Sequence, residues 1–242
     1  DTFISHLVEL RDRLLRAVVA IVVVFVCLMP WAGEIYDILA HPMMQALPEG
    51  TRMIATGVVT PFFVPMKVTL LVAFVVALPF VLYQAWCFIA PGLYAHEKRL
   101  GLPLVIGSTI LFLAGMAFCY FFVFGTVFKF IAQFAPKSIT PAPDIEQYLA
   151  FVMSMFLAFG ITFEVPVFVI VLVKLGVVDV PKLKEARPYV IVGAFIVAAV
   201  VTPPDVVSQL MLAIPMCLLY ELGIFLARFV TKTRADAVSE EN

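Results

Sequence analysis

Apolar residues run through this chain in long blocks rather than in the three-and-four spacing of a water-facing helix. The blocks cover residues 14–29, 62–89, 102–124, 148–173, 189–201 and 206–229. A helix rising about 1.5 Å per residue needs about 20 apolar residues to cross about 30 Å of hydrocarbon. The pattern therefore predicts an all-α integral membrane protein with six transmembrane helices. The fifth block is short: about 13 residues make roughly 20 Å of helix, so the bilayer must thin there or neighbours must protect the helix ends. A re-entrant hairpin folded at Pro203-Pro204 is the alternative; Asp205 as an N-cap, with Arg187 and Arg228 at the far ends of both arms, favours two short spans.

The polar interruptions carry the rest of the layout. In residues 34–48, Ile35, Ile38, Leu39 and Met43 fall at helical spacing opposite Glu34 and Asp37, which predicts a short helix lying on the membrane surface. Residues 135–147 are proline-rich and predict a compact, semi-rigid loop. Together the two segments are expected to cap the outer face. Arg11, Arg13 and Arg16 precede the first block, Lys98 and Arg99 follow the second, and Lys174, Lys182, Lys184 and Arg187 separate the fourth from the fifth. Arg228, Lys232 and Arg234 end the chain, whereas the opposite side holds Arg52 and Lys137, with Lys67 and Lys129 near span ends. By the positive-inside rule both termini face the cytoplasm. Acids and bases are mixed ahead of the first block and no small-residue cleavage site precedes Pro30, so that block reads as a retained span. The expected organisation is one membrane domain, 1–242, with 1–13 a cytoplasmic segment and 230–242 a polar tail without regular structure.

Composition narrows the chemistry. The chain is 63% hydrophobic and 14% charged with a mean hydropathy of +1.08, far outside the range of soluble domains. A net charge of −1 lacks the basic excess of a nucleic-acid binder. Cys27, Cys87, Cys119 and Cys217 are scattered through apolar segments without CxxC spacing, so they read as small core hydrophobes rather than as disulfides or metal ligands. His6, His41 and His96 are too dispersed for metal ligation. The chain has no P-loop, no dinucleotide fingerprint, no H-E-x-x-H and no G-x-S-x-G. An enzyme is not expected, no cofactor or metal is called for, and any work must draw on an ion gradient or a partner.

Several polar residues stand out against this background. Glu164 is the first charge in an apolar run from residue 148 to 175. A central carboxylate costs roughly 2.5–3.5 kcal/mol on insertion scales and faces protein or a water-filled cavity. Pro166, two residues on, lacks an N–H, frees the carbonyl of Thr162 and favours a kink. Acid, kink and freed carbonyl within one turn make either a functional polar indentation or a neutral acid joining two helices. Glu9 and Arg13 lie four apart, which a surface ion pair on a juxtamembrane helix would also explain. Glu97 could act, or merely balance Lys98 and Arg99. Asp205, Ser208 and Gln209 share one helical face, and Asp205 could be only a cap. Lys67 could simply snorkel.

The stretches HLVELRDRL (6–14), FIAPGLYAHEKR (88–99), FEVP (163–166), RPYVIVGAFIV (187–197) and TPPDVVSQ (202–209) stand in an order that resembles the C subunit of the twin-arginine protein translocase, the TatC family. The resemblance spans nearly the whole chain. It implies a glove-shaped, six-helix protein of the bacterial cytoplasmic membrane that receives signal peptides of folded proteins and runs on the proton-motive force. It implies single-span partners of the TatA and TatB type and self-association in a receptor complex. It assigns arginine-pair recognition to Glu97 and Glu9, matches Phe88, Arg11 and Pro42 to positions the family needs, and matches Glu164 to its intramembrane acid. Asp205 and Gln209 match its short fifth–sixth hairpin.

Physical chemistry agrees with that assignment. Paired arginines present two planar forks, and each carboxylate bond to a guanidinium contributes roughly 1.5–3 kcal/mol. Lysine cannot copy the fork. Arg11, Lys98 and Arg99 oppose a cationic peptide, so the acids must lie nearest to it. Composition by itself also fits a proton-coupled small-solute transporter using Glu164, although the paired broken helices of such transporters are missing from the pattern. A scaffold for other membrane helices, with Glu164 structural, is the third reading.

Overall fold

The computed structural model describes residues 3–47, 52–89, 98–136 and 142–240. In chain order the helices are α1 (Phe3–Leu28), α2 (Ala32–Ala46), α3 (Thr60–Ile89), α4 (Lys98–Phe118), α5 (Phe124–Phe134), α6 (Ile145–Phe163), α7 (Val165–Lys174), α8 (Val180–Glu185), α9 (Arg187–Val201) and α10 (Val206–Glu240). A 3-10 turn, Met29–Trp31, joins α1 to α2, and a π turn, Cys119–Val123, joins α4 to α5. Five continuous helical stretches are long and apolar enough to cross a membrane: Ile4–Gln45, Thr60–Ile89, Gly101–Phe134, Ile145–Lys174 and Val206–Phe229. The chain is thus a multi-pass membrane protein. The fifth apolar block is the shorter helix α9, 15 residues long. The tail, expected to lack regular structure from residue 230, continues α10 as far as Glu240. Ala235, Ala237 and Glu240 are good helix formers, and a helix already nucleated by a packed span extends at little cost.

The chain forms two compact units that interleave along the sequence, Asp1–Ile89 with Ala117–Phe156, and Ala90–Met116 with Leu157–Asn242.

In the first unit, proline punctuation decides where the chain turns. Pro30 stands at the start of the 3-10 turn that ends α1. The helix that follows, α2, is the one expected over residues 34–48, and it contains Pro42. Proline has no N–H and leaves the carbonyl four residues back without its helical partner. Here that carbonyl belongs to Ile38, and the Tyr120 hydroxyl, from the π turn, donates to it at 2.9 Å. Tyr148 on α6 donates to the neighbouring Leu39 carbonyl at 2.9 Å. Two phenols thereby tie α2 to the rest of its unit, while Phe124, Phe128, Phe151 and Phe156 fill the interior with ring contacts.

The loops of this unit are clasped by one carboxylate. Asp144 caps α6 through the backbone N–H groups of Glu146 (2.9 Å) and Gln147 (3.2 Å). It also accepts from the Thr56 hydroxyl (2.7 Å) and Thr56 N–H (3.1 Å). A one-rung parallel bridge joins Ile54 to the same place, with Ile54 N–H on Pro143 O and Ile145 N–H on Ile54 O. Two residues further on, Glu146 takes Lys67 at 2.9 Å. Lys67 therefore pairs with an acid rather than only snorkelling, although both partners are half exposed and the pair contributes little.

The second unit is built on close backbone approach. A Cβ added at Gly115 on α4 would stand 2.5 Å from the carbonyl oxygen of Phe159 on α6, and one added at Gly160 would meet the Phe112 ring. A Cβ at Gly223 on α10 would lie 3.0 Å from the Cα of Pro166. Small residues let helices come together where lipid offers no hydrophobic driving force. Val169, Val173, Leu183, Tyr220, Ile224 and Ala227 form the buried cluster that joins α7, α8 and α10, and the Tyr220 hydroxyl donates to Leu183 O at 2.8 Å. Glu221, an acid inside the last apolar block, is matched by Arg187 at the start of α9 at 2.6 Å.

Three outcomes follow. Tyr120→Phe should cost about 1 kcal/mol by leaving the Ile38 carbonyl unpaired, and much less in a Pro42→Ala background, where a backbone N–H returns. Additive losses in that double-mutant cycle, read by thermal unfolding in detergent, would remove the coupling. Gly115→Ala should cost about 1–3 kcal/mol by overpacking, whereas Gly107→Ala, with nothing within 4 Å, should be neutral. The Thr56 hydroxyl, then the backbone N–H groups, hold the Asp144 carboxyl below the ordinary 3.8. A depressed acid stabilises the fold above its unfolded value and loses that contribution as pH falls through the folded one. Acidification below 3.8 should therefore lower the melting temperature, and Asp144→Ala should lower it at pH 7 while flattening that acid dependence.

Candidate functional site

Residues singled out from the sequence fall into three clusters. The first lies where the first turns of α1 meet the last turns of α3. His6, Glu9 and Arg13, at i, i+3 and i+7, share one face of α1, and Gln84 and Phe88, at i and i+4, share one face of α3. The His6 and Phe88 rings stack with centroids 4.4 Å apart and planes 22° from parallel. Arg13 donates Nε–H and Nη2–H to Glu9 Oε1, at 2.8 and 2.6 Å, and reaches Gln84 Oε1 from Nη1 at 3.4 Å. Among the described residues Glu9 Oε2 has no partner. Arg11 points elsewhere, is exposed, and pairs with its neighbour Asp12 at 2.8 Å. Phe88 and Glu9 thus belong to one seam, and Arg11 does not join it. Glu97 and His96, with the rest of residues 90–97, lie outside the described residues.

The second cluster surrounds Glu164. The long apolar helix expected there breaks into α6 and α7 with Glu164 at the joint, its N–H turning back to Ile161 O at 3.0 Å. Phe168 N–H still reaches Glu164 O at 2.9 Å, so the helix resumes at once. Pro166 forces this break, because it cannot supply the N–H that Thr162 O would take. The carboxylate is withdrawn from the surface, and among the described residues neither oxygen has a hydrogen-bond partner of good geometry. The hydroxyl of Ser108, fully buried on α4, is the polar group acting on it. The spacing of that approach is set by Gly115 and Gly160, where α4 and α6 touch. Ser108 was not singled out in the sequence. Its register with Phe112 and Gly115 is the signal that could have found it.

The third cluster is the hairpin between α9 and α10. Thr202 N–H and hydroxyl both close onto Ala198 O, at 2.9 and 2.7 Å, ending α9 ahead of the two prolines. Asp205 caps α10 through Ser208 N–H at 2.7 Å, as its sequence position suggests. Gln209 donates from Nε2 to Phe195 O on α9 at 3.3 Å and so ties the two arms together. The second Asp205 oxygen and the Ser208 hydroxyl are buried without partners among the described residues. Pro42, the remaining candidate, does its work in α2 by freeing the carbonyl that Tyr120 takes.

The chain was compared with known proteins. A family model described as Sec-independent protein translocase protein (TatC) matches residues 5–215. The Sec-independent protein translocase protein TatC of Haemophilus influenzae is 53% identical over 239 residues, covering 99% of this chain and 93% of that protein. The protein of the same name from Escherichia coli K12 is 50% identical over 226 residues, covering 93% and 88%. A crystal structure of a twin arginine translocase receptor, TatC, superposes with a TM-score of 0.81 at 40% identity, covering 93% of this chain and 99% of that one. Sequence, family model and fold converge on one answer: this chain belongs to the TatC family and is a membrane component of the Sec-independent protein translocase.

Proposed function

We propose that the protein is the receptor subunit of its translocase, binding the Arg-Arg signal peptides of folded cargo at the cytoplasmic surface of the bacterial inner membrane, for export driven by the proton-motive force. The observation that carries this reading is the seam between α1 and α3, where Glu9, whose Oε2 has no partner among the described residues, lies one turn from the His6 ring that stacks on half-buried Phe88. A guanidinium fork satisfies such an oxygen and its plane stacks on such a ring; an ammonium does neither as well. Glu97, only nine residues from Phe88 in sequence, supplies the second acid, and Arg11, exposed on α1, lies at the rim.

The chain crosses the membrane six times with both termini inside. The 15 residues of α9 reach about 22 Å, so the hairpin sits where the bilayer is thinned or covered. Asp205, Gln209 and Pro42 fix the hairpin and α2, which offer surfaces to single-span subunits of the TatA and TatB type and to further copies of the chain. Glu164 offers an uncompensated acid to the apolar part of the bound peptide, a polar contact that matters after the arginines are held. The transporter alternative draws on the same Glu164, but the sequence pattern does not show the pair of repeat-related broken helices such a site requires.

Glu97→Ala should abolish capture of an Arg-Arg signal peptide by detergent-solubilised protein, and Glu9→Ala should weaken it about tenfold, the equivalent of one charge-assisted bond. Neither should alter the elution profile of the folded protein. Undiminished capture by both variants would remove this surface from the mechanism. Glu164→Gln should capture the peptide normally and slow export in vesicles; normal export would make Glu164 structural.

A further inference from the structure

Glu9 does not stand ready as a bare anion: a resident arginine already holds it. Arg13 takes Oε1 with two N–H groups and leaves Oε2 without a partner among the described residues. The arginine is the better anchored of the two, with its side chain 24% exposed against 40% for Glu9. Its third contact runs to Gln84, which is buried on α3. The pair is therefore oriented from the protein side, with the acid offered outward.

We infer that Arg13 is a specificity-determining positioning residue: it cancels the charge of Glu9 while leaving one oxygen open, so that the site selects a guanidinium fork over an ammonium. This rests on the reading of Glu9 as an acceptor for the signal arginines.

A bare surface carboxylate attracts any cation through its charge, and lysine benefits almost as much as arginine. With Arg13 beside it, the long-range attraction is removed and every arriving cation meets a like charge. What remains is directional: the lone pairs of Oε2, which a planar, weakly hydrated fork can use in parallel. An ammonium has to give up a strong hydration shell for one bond in a neutral field. Discrimination built on a repulsive element costs affinity for both ligands and costs the wrong one more. The i, i+4 spacing also fixes which oxygen is spent, since the fork of Arg13 lies along the helix and engages Oε1 with both groups.

The test is the ratio of affinities of the full-length protein in nanodiscs for an Arg-Arg signal peptide and for its Lys-Lys counterpart, at low and high salt. Arg13→Gln should raise Lys-Lys binding about tenfold, the size of a partly screened like-charge contact. Arg-Arg binding should change by less, so the ratio falls and the Lys-Lys gain fades at high salt. Arg13→Lys, which keeps the charge, should retain most of the discrimination. Gln84→Leu, which loosens the anchor without touching the pair, should lower the ratio in the same direction. It decides the matter if Arg13→Gln does not fold. Wild-type protein that discriminates, with Gln84→Leu and any folded Arg13→Gln discriminating equally well, would overturn the inference and leave the receptor reading standing. Wild-type protein binding the two peptides equally would overturn both.

Discussion

Helices surrounded by hydrocarbon gain nothing from hiding apolar side chains against one another, because lipid tails are as apolar as leucine. The arrangement of this chain therefore depends on the few places where polar groups must be met or where backbones can come close. Each proline inside a helix creates such a place by stripping a carbonyl of its partner. Pro42 does so at Ile38, and Tyr120 answers. Pro166 does so at Thr162, and the helix breaks at an acid. Glycine supplies the other kind of place, with Gly115, Gly160 and Gly223 each standing where a side chain would collide with a neighbouring helix. The rest of the apolar surface is left to the bilayer. On α1 this is extreme: Leu14, Leu15, Val18, Val19, Val22, Val23 and Val26 are all exposed in the isolated chain.

Much of this was written in the local sequence. The apolar blocks, the short helix between the first two spans, the break at Glu164 and the cap at Asp205 all follow from residue spacing, because each is a decision made within one or two turns. Contacts between elements were not legible. Nothing around Lys67 announces Glu146, and nothing around Asp144 announces Thr56, since such pairings depend on which helix ends meet across the fold. Gln84 reads as an unremarkable polar residue near a span end until Arg13 is seen to reach it. The tail was misjudged because composition describes an isolated peptide, whereas this one continues a helix that is already formed.

The two acids to which the proposal gives roles are held in opposite ways. Glu9 is half-buried near a helix end, bonded twice on one oxygen and, among the described residues, open on the other. Glu164 is withdrawn into the apolar part of its unit, where the Ser108 hydroxyl is the polar group acting on it among the described residues. A compensated acid gives selectivity, because its charge is spent and only its geometry remains to be read. An uncompensated acid in a poorly hydrated place gives the reverse: it responds to any donor or charge that enters, and only weakly to shape.

On the proposed receptor reading, that contrast matches what a receptor for many cargoes would need. Under that proposal the arginine pair is the constant part of the ligand, so a fork-shaped site could read it strictly. An apolar segment that differed from one cargo to the next would need a permissive surface. A helix break with one unspent carboxylate meets that requirement, since it constrains depth and polarity without prescribing side chains. Under the proposal, strict reading where the ligand is constant and loose reading where it varies would let a single chain accept folded proteins of unrelated sequence.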